Sequence, residues 1–460
     1  MALPSDIAPG TVVLPGGVVV AVALSLPAVQ VLSSLSLPVV LAGAGLVLAV
    51  AAALGLLILL GGLVRVFSRA PHLGPGTEHP AQTSLTVVIP AYNEAANIEA
   101  CLGSVLESTL PCDDWQVLLV DDRSTDATAA RAMAMAQGKA GAAWSVGDSP
   151  NSITGDGWRF TLLDAGPRPQ GERWVGKNWA CSRAMAQVAS DWVVFIDADV
   201  RLAPDALRRA LAQATDERAD LFSLAPRLTC GCLAEWMVQP IMASLLGLGF
   251  PIEAANDPAD PTAFAAGPFM LFRRSAYEAI GGHRALAGEV VEDLALARRI
   301  KGSGLRLRYL LGLDAVELRM YRDFASLWEG WSKNWFSGLD RSISKALGAS
   351  AVVVLLFSGP WLLMPAAAVG LIGLVHAPLP ATEAAPLLGM LLRLSLTAAL
   401  LGIGLQLGLR LWTRRQFQVP LTLWWLMGAG GLVVAALGPT SVWRSLTGRG
   451  WTWKGRSLAG

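Results

Sequence analysis

The sequence predicts an α/β domain, built around a mostly parallel sheet, between two groups of membrane helices. Three observations support this class. Apolar stretches long enough to cross a bilayer lie at both ends of the 460-residue chain, whereas a polar block between them carries nearly all the acidic residues. Within that block, short β-branched runs alternate with helical patterns, which is typical of a doubly wound sheet. Acidic residues directly follow several of the predicted strands.

Charge is distributed unevenly along the chain. Residues 1–64 contain one charged side chain, Asp6, and residues 346–409 contain only Glu383 and Arg393. A membrane helix needs about 20 apolar residues, which predicts spans at residues 12–31, 37–64, 351–375, 386–409 and 421–437. The last segment is expected to dip into the bilayer and return, because three full C-terminal crossings would place the basic tail outside.

Basic residues flank the membrane ends that face the polar block, namely Arg65, Arg69, Arg341 and Lys345. By the positive-inside rule, this block lies in the cytoplasm. The sequence therefore predicts a multi-pass integral membrane protein in four parts. They are an N-terminal membrane region of one or two helices at 1–66, an α/β domain at 84–340, a C-terminal membrane region at 346–440 and a basic tail at 441–460.

The elements of the α/β domain follow from its hydrophobic pattern. Strands are expected at 85–90, 116–120, 158–163 and 192–196, where apolar runs have strand length. Helices are expected at 94–106, 126–136, 178–188, 204–214, 233–248 and 287–301. Residues 138–157, which are rich in Gly, Ser, Asp and Asn, are expected to form a loop.

The run Trp192–Ile196 ends in two carboxylates, and this is the most informative stretch for function. Asp197 and Asp199 stand two positions apart at the carboxyl end of a predicted parallel strand, where ligands bind in open α/β sheets. In an extended chain both side chains lie on one side and can share one hard divalent cation. Such a pair can instead cap the helix that follows.

Two further motifs stand where a predicted strand ends. In P-A-Y-N-E, which begins at Pro90, Tyr92 is a candidate for stacking on a nucleotide and Glu94 for accepting its hydrogen bonds. Glu94 also suits the first turn of a helix. In V-D-D-R-S-T-D, the Asp122 carboxylate can accept the N–H of a uracil base, whereas Asp126 is interpreted as a helix cap.

Lys177 begins the predicted helix that precedes the Asp197 strand, within G-K-N-W-A. The positive end of the helix dipole disfavours a lysine at this position. We therefore expect an anionic or polar group to compensate it, and a nucleotide diphosphate or a base carbonyl would serve.

The order of these motifs resembles that of family 2 inverting glycosyltransferases with the GT-A fold. Glu292-Asp293 follows them and matches the family's E-D motif, so that the resemblance covers residues 84–340. It implies a Rossmann-like sheet and a nucleotide-sugar donor with Asp122 near the base. It also implies that Asp199 binds Mg²⁺ or Mn²⁺ on the diphosphate, while Asp197 contacts the ribose or, indirectly, the metal.

The resemblance assigns Asp293 as the general base. An inverting transfer is a one-step displacement at the anomeric carbon, so the acceptor hydroxyl must lose its proton as it attacks. The leaving diphosphate gains charge, which a divalent cation and Lys177 would neutralise. The alternative for Glu292 and Asp293 is that two acids simply favour a helix N-terminus.

Residues 265–283 resemble the acceptor-side segment of the family. Gly267 would let the backbone approach the sugar. His283 is a candidate site residue, with a packing or hydrogen-bonding role as the alternative.

One departure from the family concerns the Q/R-x-x-R-W motif of its processive polymer synthases. Here the stretch reads Trp331-Ser332-Lys333-Asn334-Trp335, so that asparagine replaces the arginine. This argues against polymer synthesis, although Lys333 could contact a phosphate. Trp331 and Trp335 are candidates for the acceptor side or for anchoring at the bilayer interface, where tryptophan collects.

The chain most resembles the lipid-modifying branch, which includes ceramide glucosyltransferases and the glycosyltransferases of hopanoids and carotenoids. It is therefore predicted to move one sugar, from a UDP-sugar, to a hydroxyl of a membrane lipid. One alternative is a processive polysaccharide synthase whose C-terminal spans form a pore. Another is a scaffold that keeps the fold without activity.

Composition argues against other classes of function. A net charge of +1 gives no indication of a nucleic-acid partner. The spans carry almost no polar residues besides Arg393, which argues against a transporter. The five cysteines lack a zinc-binding spacing and are interpreted as reduced packing thiols.

Overall fold

The computed structural model describes residues 11–13, 19–21, 36–76, 81–140, 145–146, 151–249, 251–376, 384–447, 452–453 and 456–457. The chain divides into two compact units. The larger unit comprises Leu54–Ser358 and Gly404–Gly460, and it contains the α/β domain. The smaller unit comprises Met1–Ala53 and Gly359–Ile403.

The strands are short except at the centre of the domain. They are β1 (Thr11–Val13), β2 (Val19–Ala21), β3 (Ala81–Ala91), β4 (Cys112–Asp121), β5 (Ser145–Val146), β6 (Ser152–Gly155), β7 (Trp158–Asp164), β8 (Trp192–Ile196), β9 (Val200–Leu202), β10 (Leu221–Ala225), β11 (Arg227–Leu228), β12 (Phe269–Arg273), β13 (Leu307–Leu311), β14 (Val316–Leu318), β15 (Thr452–Trp453) and β16 (Arg456–Ser457).

The helices of the α/β domain are mostly short, and the apolar helices at the two ends are long. They are α1 (Leu37–Arg69), α2 (Ile98–Leu106), α3 (Thr128–Ala140), α4 (Gly176–Met185), α5 (Ala206–Asp216), α6 (Leu233–Gly249), α7 (Ile252–Asn256), α8 (Arg274–Ala279), α9 (Glu292–Gly302), α10 (Phe324–Gly338), α11 (Ile343–Val353), α12 (Gly359–His376), α13 (Ala384–Phe417) and α14 (Met427–Leu446). Gly282–Leu286 and Trp424–Leu426 form 3₁₀ turns, and Val354–Ser358 forms a π-helical segment.

The central sheet has nine strands in the order β13-β10-β12-β8-β3-β4-β7-β6-β5. Strands β8, β3, β4 and β7 are parallel neighbours, as are β10 and β13. Only β12 and β6 run against their neighbours in this sheet. The predicted α/β class with a mostly parallel sheet is therefore confirmed.

Helices cover both faces of this sheet, which explains why its central strands are apolar throughout. All five residues of β8 are buried, as expected for a parallel strand with two covered faces. Along β3, Val87 and Ile89 pack into one core cluster, while Val88 between them packs into the other. The free thiols Cys101 and Cys181 also lie one in each cluster.

Two predicted helices begin at least four residues later than the sequence suggested. The helix expected from residue 94 begins at Ile98, after a turn that follows Asn93, whose φ is 52°. The helix expected from residue 287 begins at Glu292. Asn178 Nδ2 donates to the carbonyls of Leu286 (2.6 Å) and Glu289 (2.9 Å). These two oxygens therefore accept hydrogen bonds from a side chain of α4 in the stretch where the helix was expected.

The expected loop at 138–157 is partly regular. Helix α3 continues to Ala140, and β6 forms a hairpin with β7. The hairpin turn contains Gly157 with a φ of 76°, a conformation that glycine adopts without steric cost. The composition of this segment predicted a loop, but pairing with β7 satisfies the backbone N–H and C=O groups of β6.

Four helical segments among the described residues are long and apolar enough to cross a membrane. They are Leu37–Arg69, Ile343–His376, Ala384–Phe417 and Trp424–Leu446. The span expected at 12–31 is not observed where it is described, because Thr11–Val13 and Val19–Ala21 pair as antiparallel strands. Its remainder lies outside the described residues.

Residues 421–437 were expected to dip into the bilayer and return. The structure shows no reversal of direction there. Helix α14 is continuous through Gly430, Gly431 and Pro439. Its glycines allow close packing, since a Cβ at Gly430 would clash with the Met237 carbonyl oxygen. Helix α14 therefore packs closely on α6 of the α/β domain.

Candidate active site

A cleft of about 290 Å³ opens at the carboxyl ends of β3, β4 and β8. It brings together most of the residues that the sequence singled out, although they are spread over more than 240 positions. The predicted site residues that line it are Pro90, Tyr92, Glu94, Asp122, Lys177, Asp197, Asp199, Gly267, Glu292, Asp293 and Lys333. Asn334, at the departure from the synthase motif, lines it as well.

Asp197 and Asp199 reach the cleft through a tight turn. The backbone N–H of Val200 donates to the Asp197 carbonyl over 3.1 Å, which closes a turn directly after β8. The expectation that an extended chain places both side chains on one side was therefore wrong in its geometry. The turn nevertheless brings both carboxylates to the same cleft.

Lys177 joins the two acidic sides of the cleft. Its Nζ lies 2.7 Å from Asp197 Oδ1 and 2.6 Å from Glu292 Oε1. Burial opposes its charge, but these two carboxylates outweigh burial and hold the pKa of Lys177 well above its ordinary value. The anionic compensation expected for a lysine at a helix start is thus present within the protein, without a nucleotide.

Asp293 stands at the start of α9 and is held by two backbone groups. Its Oδ2 accepts the N–H of Gly267 over 3.1 Å, and its Oδ1 accepts the N–H of Leu294 over 2.8 Å. Burial, followed by the negative charge of Glu292, raises the pKa of Asp293 to about 6. Burial also acts on Glu292, but Lys177 overcomes it and lowers the pKa of that carboxyl.

The two neighbouring acids therefore differ. Glu292 is an ionised partner of Lys177, whereas Asp293 is an oriented carboxylate that can accept a proton near neutral pH. Of these two acids, Glu292 is suited to an electrostatic role and Asp293 to the role of a base.

Asp122 lies at the floor of the cleft, with 3% of its surface exposed. Its Oδ2 pairs with Arg168 Nη2 at 2.8 Å. The sequence did not indicate Arg168, because it lies in an irregular segment 46 residues away. This charge-assisted hydrogen bond orients the Asp122 carboxyl group within the cleft.

Glu94 is oriented by its own turn. Asn97 Nδ2 donates to Glu94 Oε2 over 2.9 Å, and the backbone N–H of Glu94 donates to Thr128 Oγ1 over 2.8 Å. The predicted cap Asp126 accepts the N–H of Thr128 over 3.0 Å at the start of α3. These bonds fix the strand-to-helix turn that carries Tyr92.

The opposite wall of the cleft combines a cation with apolar side chains. Burial lowers the pKa of Lys333, which projects from α10. Leu318 ends β14, and it lines the same wall together with Met320 and Tyr321. The sequence did not single out these residues, since nothing in their local pattern distinguishes them from core residues.

Three predicted site residues do not line the cleft. Trp331 and Trp335 are buried, and their Nε1 atoms donate to Gln239 Oε1 (2.9 Å) and to the Ala346 carbonyl (3.3 Å). They pack in the protein core and are not exposed at an interface. His283 is 1% exposed, and its Nδ1 lies 2.7 Å from Tyr277 Oη.

Burial lowers the pKa of His283 to about 3, so the ring is neutral and its Nδ1 can accept a hydrogen bond from the Tyr277 hydroxyl. The Tyr277 oxygen in turn accepts the N–H of His283 over 2.9 Å. These bonds and its T-shaped contact with Phe195 explain His283 by packing.

The described residues contain no group of three or more His, Cys, Asp or Glu side chains placed to hold a metal ion. Asp197 and Asp199 supply carboxylate oxygens from one turn. Mg²⁺ is usually bound through one or two carboxylates together with substrate phosphates. The residues present therefore fit part of the coordination shell of such a cation, and a diphosphate would have to supply the rest.

The mostly parallel sheet, with an acidic cleft at the carboxyl ends of its strands, agrees with the GT-A fold that the motif order implies. Residues 86–143 and 167–281 match the family model "Glycosyl transferase family 2". The matched residues lie within the α/β domain, and the predicted resemblance to this family is thereby confirmed.

Among characterised proteins, the chain is similar to the 4,4'-diaponeurosporenoate glycosyltransferases of Staphylococcus aureus strains MRSA252 and USA300. Both are 27% identical over 295 residues, which cover 64% of this chain and 71% of each relative.

Two solved structures are also similar. One is a mannosyltransferase from Pyrobaculum calidifontis in complex with GDP-Man and Mn²⁺, which is 18% identical with a TM-score of 0.42, over 86% of this chain and 99% of that one. The other is glucosyl-3-phosphoglycerate synthase from Mycobacterium tuberculosis in complex with Mn²⁺, UDP-Glc and phosphoglyceric acid. It is 20% identical with a TM-score of 0.34, over 56% of this chain and 79% of that one.

Proposed function

We propose that this glycosyltransferase moves a single sugar from a nucleotide sugar, a UDP-sugar, to a hydroxyl of a hydrophobic membrane lipid, with inversion at the anomeric carbon. One observation carries the proposal. The oriented carboxylate of Asp293 and the Asp197–Asp199 turn line the same cleft, joined through Lys177 and Glu292. The proposed base and the turn proposed to bind the diphosphate therefore line the same cleft.

The donor would lie along the carboxyl ends of β3, β4 and β8. Tyr92 would stack on the base, Glu94 would accept hydrogen bonds from the nucleoside, and Asp122, paired with Arg168, would accept the N–H of uracil. Lys177 would bind the diphosphate as its negative charge develops, as an electrostatic partner of the leaving group.

Asp199, with Asp197 beside it, would hold Mg²⁺ or Mn²⁺ on the donor. When bound, such a cation neutralises the departing diphosphate as a Lewis acid. The oxygen set of the turn suits either of these hard cations.

Asp293 would act as the general base. As the acceptor oxygen bonds to the anomeric carbon, the bond from that carbon to the phosphate oxygen breaks, and the hydroxyl proton passes to Asp293. The nucleoside diphosphate leaves with the bonding electrons. The N–H groups of Gly267 and Leu294 hold the carboxylate in place for this transfer.

The wall formed by Leu318, Met320 and Tyr321 favours an acceptor with an apolar body. The Staphylococcus relatives are named for acting on 4,4'-diaponeurosporenoate, a carotenoid, and this likeness supports a carotenoid-type acceptor, with hopanoid and sphingolipid alcohols in the same class. Four apolar helical segments are long enough to cross a membrane that contains such a lipid, and the flanking arginines support a cytoplasmic position for the catalytic domain.

The cleft charge favours a hydroxyl over a carboxylate as nucleophile in this chain. Six carboxylates and two lysines line the cleft, and a diphosphate adds further negative charge. A neutral alcohol avoids this repulsion, and it requires the base that Asp293 can provide. A carboxylate acceptor would need no base and would be repelled.

Mass spectrometry of lipid extracts tests the proposal. Cells that produce the wild-type protein should contain one lipid heavier by a single hexose or deoxyhexose, and cells that produce Asp293→Asn should lack it. In membranes supplied with UDP-hexose, a long-chain alcohol should be glycosylated and the matching acid should not. A ladder of oligosaccharide products would instead indicate the processive synthase, and an unchanged lipid profile would contradict transfer to lipids.

A further inference from the structure

A second cavity, which shares no lining residue with the active-site cleft, lies where the end of α13 meets the α/β domain. Its volume is about 280 Å³, and residues of three segments line it: 227–230 with Trp236, Glu317, and 417–420. All belong to the larger unit. A water molecule occupies about 30 Å³ in the liquid, so the cavity can hold a group much larger than one water.

Arg410 lies directly behind the wall of this cavity. Its guanidinium donates to the carbonyls of Pro420 (Nε, 3.1 Å) and Trp236 (Nη1, 3.5 Å), and both residues line the cavity. Cys230, a third lining residue, has Arg410 among its charged neighbours. Arg410 itself is fully buried.

The buried charge of Arg410 has no carboxylate partner among the described residues. No acidic oxygen lies within 4.0 Å of its nitrogens, and its Nη2 has no hydrogen-bond partner. Two other arginines nearby are paired, Arg227 with Glu317 at 2.6 Å and Arg319 with Glu235 at 3.3 Å. Among these five side chains, three cations face two anions, so Arg410 is left without a counter-charge.

Burying a cation without a counter-charge is costly, so proteins usually pair it or place it against a ligand. We propose that this cavity binds a phosphate group of single negative charge, which compensates Arg410. Arg227, a residue that lines the cavity, adds a second cationic side chain beside the same group, and its own Nε is buried without a partner.

The position of the cavity is compatible with two sources of that group. Arg410 lies seven residues before the end of a 34-residue apolar helix, about 10 Å from its end. Basic pockets at such helix ends bind the headgroups of anionic phospholipids, whose phosphodiester carries one negative charge. Free inorganic phosphate has the same chemistry.

Thermal unfolding of the delipidated, full-length protein in a neutral detergent tests this proposal. Phosphatidylglycerol should raise the melting temperature by roughly 5 °C, and zwitterionic phosphatidylcholine should not. If inorganic phosphate alone reproduces the rise, the ligand is the free ion; if only phosphatidylglycerol does so, it is the lipid headgroup.

Two variants connect the effect to the cavity. Arg410→Met removes the buried charge and should abolish most of the rise, whereas Arg415→Met, at an exposed arginine of the same helix end, should retain it. If Arg410→Met does not fold, Leu228→Trp fills the cavity and should abolish the rise while Arg410 remains. An unchanged rise in Arg410→Met or in Leu228→Trp, or no rise with either phosphate probe, overturns the proposal.

Discussion

The backbone N–H of Gly267 donates to Asp293 Oδ2 over 3.1 Å. This bond connects the loop before β12 to the first turn of α9. A Cβ at Gly267 would lie 3.0 Å from the same oxygen and 3.3 Å from Lys177 Nζ. The absence of a side chain at this position therefore sets how closely the loop approaches the proposed base and its neighbouring cation.

Replacing Gly267 by alanine should lower kcat by roughly 10- to 100-fold, because a displaced base reacts from a poorer geometry. The KM for the donor should change little. Gly267 has no positive φ, so the expected effect is steric. Gly138→Ala is a matched control, since a Cβ there meets nothing within 4 Å; equal losses in both variants would refute the steric argument.

Asp293→Asn should reduce turnover by about 10²- to 10⁴-fold while donor binding is retained. The pKa of Asp293 in the folded protein, about 6, lies above its ordinary value of 3.8. Its contribution to stability is therefore present at low pH and lost as the pH rises through 6. Above that, the buried charge destabilises the fold by ~1–3 kcal/mol.

The same variant should thus melt at the same or a higher temperature than the wild type at pH 8. Asp113→Asn, at an exposed position, should change neither turnover nor melting temperature. Loss of activity together with a clear loss of stability would indicate a structural role for Asp293.

The pH profile should follow the ionisation of Asp293. Since the base must be deprotonated, kcat/KM should fall below pH of about 6. Burial and then the charge of Glu292 raise this pKa, so Glu292→Gln should move the acid limb to lower pH. Glu289→Gln, an exposed neighbour, should leave the limb in place. An acid limb that is identical in Glu292→Gln would show that another group titrates.

Binding of a divalent cation should depend on the nucleotide. The turn offers two carboxylates, one of them already paired with Lys177, so Mn²⁺ should bind weakly alone and at least about tenfold more tightly with UDP. Calorimetric titration measures both affinities, and a chelator should abolish transfer until Mn²⁺ or Mg²⁺ is restored. Asp199→Asn should remove the dependence on UDP, while exposed Asp216→Asn should preserve it. Full activity in the chelator would refute a metal requirement.

Much of the candidate site could be predicted from the sequence because its residues stand at element boundaries. Asp122 and Asp197 follow apolar runs of strand length, and Lys177 and Asp293 begin helices. The carboxyl ends of parallel strands meet at one edge of a sheet, so the local pattern and the chain order were sufficient to expect a common cleft.

Side-chain partners could not be predicted in this way. The sequence led us to expect a nucleotide beside Lys177, whereas Asp197 and Glu292 already pair with it. Trp331 and Trp335 were expected at an interface, but α6 and α11 provide acceptors for their N–H groups in the core. Periodicity identifies a helix but not the neighbour that covers each of its faces.

The amino-acid sequence by itself determined the α/β class, the resemblance to the family, four of the five expected apolar spans and the acidic residues at the strand ends. It could do so because periodicity and turn chemistry act between residues close in the chain. The tertiary structure decided the pairing of Asp122 with Arg168, the hydrogen bond from the Gly267 N–H to Asp293 and the burial of Arg410. These contacts join positions that are distant in sequence. They exist only once the elements pack, since packing sets which charges share a space and how far each is removed from water.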